Sequence, residues 1–165
     1  MESTSTKQRI LSKFEQAATD EANRILSKRE KARKFNDFWN TVGSESKKRT
    51  GFNIQVVCDL ARSTWRKQKG CSSVAGVTVK FNVPRNCKVF KTKGFTFVEL
   101  GLYPRKRIAI PIRKNRNWDR FSGLLGSGWT CKTFGLTPSL EIAAYLSKED
   151  SPSTRKKNVL GVDVN

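Results

Sequence analysis

Lysine and arginine are concentrated in the middle of this 165-residue chain. Seventeen of the thirty-three basic residues lie between Arg62 and Lys132, and the only acidic residues in that stretch are Glu99 and Asp119. Such a basic region attracts a polyanion, because each phosphate that it neutralises releases condensed counterions whatever the base sequence. Runs of charge also occur as plain solvated surface, but a net charge of +19 with this asymmetry predicts a nucleic-acid partner.

Two basic clusters are the strongest candidates for phosphate contacts. They flank the apolar alternation Ile108, Ile110 and Ile112, which is typical of a strand, so both are expected along one edge. The clusters are Arg105, Lys106 and Arg107 before this alternation and Arg113, Lys114 and Arg116 after it.

Aromatic residues are interspersed with these charges in the same half of the chain. Aromatic rings beside lysines can stack unpaired bases, a combination that oligonucleotide-binding barrels use. The competing interpretation places most of these rings in the hydrophobic core, because alternation turns one residue in two inward. The residues in question are Phe90, Phe95, Phe97, Tyr103, Trp118 and Trp129.

A single acidic residue, Asp163, interrupts a hydrophobic segment at positions 159–164 that is typical of a buried strand. One reason for a carboxylate there is metal binding, since RNase H-like nucleases hold magnesium ions with an aspartate at the centre of their first strand. The alternative is a solvent-facing aspartate at the end of a strand. The segment alone leaves both interpretations open.

Histidine is absent, and the four cysteines, Cys58, Cys71, Cys87 and Cys131, form no Cys-x-x-Cys pair. The usual zinc-finger ligand sets are therefore missing, and so are the Ser-His-Asp and Cys-His relays of hydrolases. We interpret the cysteines as free thiols in a reducing compartment. The polar start and the lack of a long apolar run predict an unexported, cytoplasmic protein without a membrane span.

Three helices are predicted before Gly70. Apolar residues recur at helical spacing over residues 10–26 and again over 35–42, where Gly43 begins a polar segment interpreted as a linker. The third helix follows Gly51, with Ile54, Val57, Cys58, Ala61 and Trp65 predicted on its dry side. Its polar side carries Asn53, Gln55, Arg62, Arg66 and Lys67.

After Gly70 the apolar period changes to two. Val77, Val79, Phe81 and Val83 alternate with polar residues, and further short strands are predicted at 88–91, 95–102, 107–113, 129–134, 140–147 and 159–164. A helix is predicted over residues 118–125, ahead of a glycine. The patterns predict an α+β chain in which an N-terminal helical segment precedes a small, mostly antiparallel, oligonucleotide-binding-like β-barrel.

Several segments, in this order, carry a resemblance to a known family: STKQRILSKFEQAATDEANRIL, FNIQVVCDLARSTWRK, RIAIPIRK, LEIAAYLSKED and LGVDVN. Together they resemble the TnpB family of RNA-guided endonucleases, which IS200/IS605-type transposons encode. The resemblance implies a helical recognition lobe at residues 1–70 and a basic wedge barrel at 71–150. Residues 151–165 would then be a linker and the first strand of a RuvC-like nuclease domain.

The resemblance also implies a function, the nucleic-acid-binding portion of an RNA-guided DNA endonuclease that holds guide RNA and target-adjacent DNA. Asn53 and Gln55 would help to read base edges, while Arg62, Arg66 and Lys67 would hold phosphates. Asp163 would be the first catalytic carboxylate and a Mg²⁺ ligand of the complete nuclease. No cofactor and no catalytic activity are expected for the 165 residues by themselves.

The chain departs from the family pattern in three ways. The barrel strand that usually precedes the first helix is missing, Asp163 is the only one of three expected carboxylates, and no zinc ribbon is present. These departures imply the recognition and wedge portion of a truncated or split protein, with the RuvC-like domain missing or separate. The alternative is a freestanding basic RNA- or DNA-binding protein without nuclease activity, in which Asp163 is dispensable.

Overall fold

Helices form the N-terminal part of an α+β fold. The computed structural model describes the backbone of residues 4–67, 70–148 and 160–164, and the side chains of 5–29, 31–67 and 70–148. The α-helices in these ranges are α1 (Thr4–Leu26), α2 (Phe35–Thr50), α3 (Ile54–Trp65) and α4 (Arg116–Gly126), and a 3-10 helix spans Arg29–Lys31. The apolar spacing therefore predicted the α-helices in the correct order.

The described strands form two antiparallel sheets. They are β1 (Val79–Asn82), β2 (Cys87–Thr92), β3 (Phe95–Tyr103), β4 (Lys106–Ile112), β5 (Thr130–Leu136), β6 (Ile142–Ser147) and β7 (Leu160–Val164). One sheet has the order β1-β5-β6-β7 and the other has the order β2-β3-β4. Each strand coincides with a segment in which apolar alternation or β-branched residues predicted one.

The single barrel that the sequence predicted is not confirmed. The chain changes sheet twice, between β1 and β2 and again between β4 and β5, where α4 intervenes. Within the described residues each sheet keeps two edge strands. At the β4 edge, Lys7 donates from Nζ to the Ala109 carbonyl oxygen at 2.8 Å, and Pro111 is tolerated because an edge strand needs fewer N–H donors.

Phe14 on α1 joins the helices to both sheets. Its fully buried ring lies 4.9 Å from the ring of Phe52, 6.1 Å from that of Phe81 in β1 and 5.8 Å from that of Tyr103 in β3, measured between centroids. These residues belong to one hydrophobic core to which helices and strands both contribute. The helical and β parts of the chain therefore meet near residue 70 but share one hydrophobic core.

The predicted linker after Gly43 was wrong, because α2 continues through it to Thr50. Gly43 faces the indole of Trp39 one turn earlier, where a Cβ atom would lie 3.0 Å from the ring. The polar residues that follow contact α1 and the residues just after it: Glu45 accepts hydrogen bonds from Arg24 at 2.8 Å and from Lys28 at 2.6 Å. Gly43 and Ser46 of this segment are buried, so the polar stretch packs as part of α2 and is not a linker.

Glu21 is the buried centre of this contact between α1 and α2. Its carboxylate accepts from Arg24 at 2.7 Å and also pairs with Arg49. Burial by itself would raise the pKa of the Glu21 carboxyl, but hydrogen bonds from Arg24, Ser46 and Arg49 outweigh it and hold the pKa below its usual value. The charge is therefore retained inside the protein.

The buried side of α3 differs from the predicted one at its start. Val56, Val57, Leu60, Ala61 and Thr64 are buried, whereas Ile54 is 46% exposed. Phe52, just before the helix, is buried and fills the core at this point, so the first helical turn presents Ile54 to solvent.

None of the helices in the described ranges has the length and apolar character that crossing a bilayer requires. The hydrophilic linker predicted ahead of the last strand lies outside the described residues.

Phe14→Ala is expected to lower the free energy of unfolding by about 3 to 5 kcal/mol, because it removes a buried ring and leaves a cavity among three other rings. The measurement is urea denaturation followed by circular dichroism. Phe95→Ala is the matched control: Phe95 is 63% exposed, so the same change there should alter stability by no more than about 0.5 kcal/mol. Equal losses in both variants would contradict the central position of Phe14.

Candidate nucleic-acid interface

The three-stranded sheet has one side in the core and one side toward solvent. In β3, Thr96, Val98 and Leu100 are buried, and the residues between them are exposed or half-buried. Antiparallel pairing carries the same two sides into β2 and β4, but in β2 the core-side residues Val89 and Lys91 are exposed. We call the solvent side the outer face: Lys88, Phe90 and Thr92 of β2, Phe95, Phe97 and Glu99 of β3, and Arg107, Ala109 and Pro111 of β4.

Two phenylalanine rings lie beside each other on the outer face. Phe90 and Phe97 are register partners across β2 and β3, with ring centroids 5.4 Å apart and ring planes inclined by only 14°. Both rings are half-buried, and Phe95 near the turn is largely exposed. Parallel rings at this separation are stacked on each other with an offset, so an unpaired base can stack on the face of either ring that its partner leaves open.

Basic side chains lie at both ends of the outer face. Thr96 pairs with Ile112, so the β2–β3 turn lies at the same end of the sheet as the residues that follow β4. That end carries Lys93, Arg113 and Lys114, and the opposite end carries Arg85, Arg105 and Lys106, all of them exposed. At about 3.3 Å per residue, β4 separates the two groups by about 20 Å. A strand crossing the aromatic pair would therefore meet positive charge at either end.

The predicted clusters around β4 are separated by the length of the strand. Arg107 donates to Glu99 at 3.0 Å, so part of its charge is neutralised within the outer face. Lys106 lies over the Tyr103 ring, 6.0 Å from its centroid. Arg116 is the first residue of α4 rather than part of the sheet. The structure thus groups Arg113 and Lys114 with the β2–β3 turn instead of with Arg105–Arg107.

Asn53 caps α3. Its side-chain oxygen accepts from the Gln55 backbone N–H at 3.0 Å, and its backbone N–H donates to the Leu102 carbonyl oxygen at 3.1 Å. The first bond satisfies one of the N–H groups that a helix leaves unpaired at its start. The second attaches the helix to β3. The side-chain oxygen and the backbone N–H of Asn53 therefore both make hydrogen bonds that hold the fold together.

Gln55 belongs to a polar chain that links α3 to the four-stranded sheet. It donates to Asp59 at 3.4 Å, Asn82 donates to the same carboxylate oxygen at 3.1 Å, and Thr133 donates to Asn82 at 3.1 Å. Burial raises the pKa of the Asp59 carboxyl, although these hydrogen bonds and Arg62 oppose the shift. Arg62 lies 4.0 Å from Asp59, too far for strong neutralisation of either charge.

Arg66 and Lys67 follow α3 and are exposed, as is Arg62 on its last turn. α3 packs against α1, α2 and β1. These three basic residues are therefore on a different element from the basic residues of the three-stranded sheet, and the described contacts do not join the two groups.

Asp163 lies in β7, where its backbone is the register partner of Ala143 in β6. The strand predicted from LGVDVN is thus present, but the Asp163 side chain lies outside the described residues. No group of three or more histidine, cysteine, aspartate or glutamate side chains suited to a metal ion occurs among the side chains that are described.

The types of the residues alone did not predict that Phe90 pairs with Phe97 or that Lys88 lies beside them. Lys93 and Gly94, both with positive φ, make a two-residue turn, and such a turn fixes the register of a hairpin. Counting outward from Lys-Gly would have paired the two rings, but this turn sequence is a weaker signal than Asn-Gly or Asp-Gly. By contrast, Tyr103 packs in the core against Phe14 and Phe52.

No protein-family model matches the chain, and comparisons with curated proteins and with solved structures give no match.

Asn53→Ala is expected to lower the free energy of unfolding by about 1 kcal/mol through loss of the helix cap, whereas Asn53→Ser should retain most of the stability because serine caps as well. Urea denaturation of both variants makes the comparison. A base-reading role would be lost in both, since neither residue has a carboxamide. Equal destabilisation by serine and alanine would contradict the capping role.

Proposed function

We propose that this chain binds nucleic acid on the outer face of its three-stranded sheet and prefers unpaired strands. The observation that carries the proposal is the parallel pair of Phe90 and Phe97 between two groups of exposed basic residues. Rings stack bases whatever their identity, while lysine and arginine bind phosphates, so the two kinds of contact act on different parts of one strand.

The preference for unpaired strands follows from what stacking requires. In a duplex both faces of each base are already stacked, so the rings of the outer face gain contact only at ends, loops and unpaired segments. The surrounding basic residues bind duplex as well, because phosphate contacts do not depend on pairing. Single strands and RNA with exposed loops are therefore preferred over a continuous duplex.

The resemblance to the TnpB family supports a narrower proposal, in which the chain is the nucleic-acid-binding portion of a transposon-encoded, cytoplasmic RNA-guided DNA endonuclease. Its partners would be guide RNA and target-adjacent DNA, and its strands would belong to a barrel completed elsewhere. In that role Asp163 would ligate Mg²⁺ in a RuvC-like domain, where the ion activates water and stabilises the leaving oxygen. A freestanding RNA- or DNA-binding protein would use the same outer face but would tolerate asparagine at position 163.

Joining the chain to a RuvC-like continuation separates these two proposals. The narrower one expects Mg²⁺-dependent DNA cleavage that Asp163→Asn abolishes while RNA binding persists, because loss of one acidic group does not weaken phosphate contacts. Cleavage that survives Asp163→Asn would contradict it. The reading frame that follows the chain in its gene provides an independent check, through the presence or absence of further RuvC carboxylates.

The double variant Phe90→Leu, Phe97→Leu is expected to weaken binding of an unstructured RNA by about tenfold or more, because each stacked base contributes about 1–3 kcal/mol. Leucine keeps the apolar cover of the sheet, so folding should be preserved. Binding to a duplex of the same sequence should stay within about twofold. Fluorescence anisotropy with labelled oligonucleotides measures both affinities.

Val89→Ala is the control on the opposite side of β2, where Val89 is 39% exposed, and it should leave both affinities unchanged. A second double variant, Arg113→Gln with Lys114→Gln, should reduce the slope of log affinity against log salt for single strands by about 1.4. Unaltered single-strand affinity in the leucine variant would contradict stacking. An unaltered slope in the glutamine variant would show that Arg113 and Lys114 do not contact phosphates.

A further inference from the structure

A cavity of about 570 Å³ opens on the helical part of the molecule, with no residue of the outer face in its walls. Its size falls within the range of about 300–1,000 Å³ that is usual for small-molecule sites. No acidic side chain contributes to it among the described residues. The lining residues are Leu26, Arg29, Ala32, Arg33, Trp65, Gly70 and Cys71.

Trp65 forms a rigid aromatic wall of this cavity. Its indole packs against Phe38, with centroids 5.4 Å apart, and against Phe35 at 6.2 Å and an interplanar angle of 66°. Phe38 is fully buried, so the indole cannot turn away without disturbing the core. A wall held in this way needs little ordering when a ligand binds.

Arg29 extends the aromatic wall. Its guanidinium carbon lies over the Trp65 ring, 5.8 Å from the centroid. Because a guanidinium is planar and stacks on aromatic rings, a flat heterocycle entering the cavity can continue the stack of Trp65 and Arg29. Leu26 and Ala32 add apolar surface beside it.

Arg33 supplies the charge for an anionic group. It is exposed and has no hydrogen-bond or ion-pair partner in the part of the chain that the structure describes. Its forked donors match phosphate oxygens in a bidentate arrangement. The cavity therefore combines a stacking wall with an uncompensated cation.

We propose that this cavity binds a nucleoside phosphate, with the base stacked on the Trp65–Arg29 wall and the phosphate held by Arg33. The ligand is a free mononucleotide or the 5′-phosphorylated end of a nucleic-acid strand, which present the same chemistry. The site shares no residue with the outer face, so either site can be correct without the other.

Calorimetric titration with adenosine 5′-monophosphate tests the proposal. The nucleotide should bind about tenfold more tightly than adenosine or inorganic phosphate, because only the nucleotide makes both contacts. Arg33→Gln should weaken nucleotide binding by about tenfold. Arg9→Gln, at an exposed arginine of α1 that does not line the cavity, is the matched control and should have no effect.

The Cys71 thiol gives a local readout. Burial raises the pKa of the thiols of Cys58, Cys87 and Cys131, that of Cys87 to about 12, so these three should react slowly with iodoacetamide at neutral pH. Cys71→Ser identifies the alkylation signal of the cavity. Saturating nucleotide should slow alkylation of Cys71, and Arg33→Gln should need about tenfold more nucleotide for the same protection.

A pentanucleotide with a 5′-phosphate and the same pentanucleotide with a 5′-hydroxyl distinguish the two sources. Protection of Cys71 by the phosphorylated form alone, with no binding of the free nucleotide, assigns the site to a strand end. Protection by both the free nucleotide and the phosphorylated strand assigns it to nucleotides in general. Absence of protection by either, or equal weakening by Arg33→Gln and Arg9→Gln, would overturn the proposal. The leucine variant of the outer face should leave nucleotide binding unchanged.

Discussion

The ring of Phe14 contacts Phe52, Phe81 and Tyr103, and through them helix α1 is fixed against α3 and both sheets. Neither sheet is closed on itself, so neither can bury its apolar side without another element. Helices supply that element: Phe14 of α1 contacts a ring in each sheet, and α3 packs against β1. The orientation of the three-stranded sheet, with one side inward and one side outward, depends on this packing.

The chemistry of the outer face follows from that orientation. Once Val98 and Leu100 are turned into the core, the period of two places Phe97 and Glu99 on the solvent side. The two-residue turn at Lys93 and Gly94 then sets Phe90 opposite Phe97 and brings the basic residues after β4 to the same end as the turn. A stacking surface and its flanking charges are thus consequences of one register and one buried side.

Apolar spacing predicted the helices and strands well because burial imposes a period that the sequence records. It failed after Gly43, where the polar segment remains part of α2, with Gly43 and Ser46 buried and Glu45 paired with Arg24 and Lys28. The sequence also could not predict whether the strands close into a barrel, since closure depends on which strands pair over long sequence distances. Such pairings leave no local pattern.

For the candidate site, the sequence identified the basic clusters but not their arrangement. Asn53 and Gln55 were interpreted as base readers because of their residue type, yet the described hydrogen bonds place Asn53 at a helix cap and Gln55 beside Asp59. The sequence shows which groups a side chain can donate or accept with, whereas the fold determines which partner it contacts. The same limit applies to Trp65, whose cavity is assembled from segments distant in sequence.

Ultraviolet cross-linking of a bound unstructured RNA, followed by mass spectrometry of the digested protein, tests the location of the nucleic acid most directly. Bases stacked on the outer face should cross-link to peptides that contain Phe90 or Phe97, since aromatic rings in contact with bases are efficiently placed for the reaction. Cross-links confined to peptides outside β2 and β3 would contradict the proposed interface.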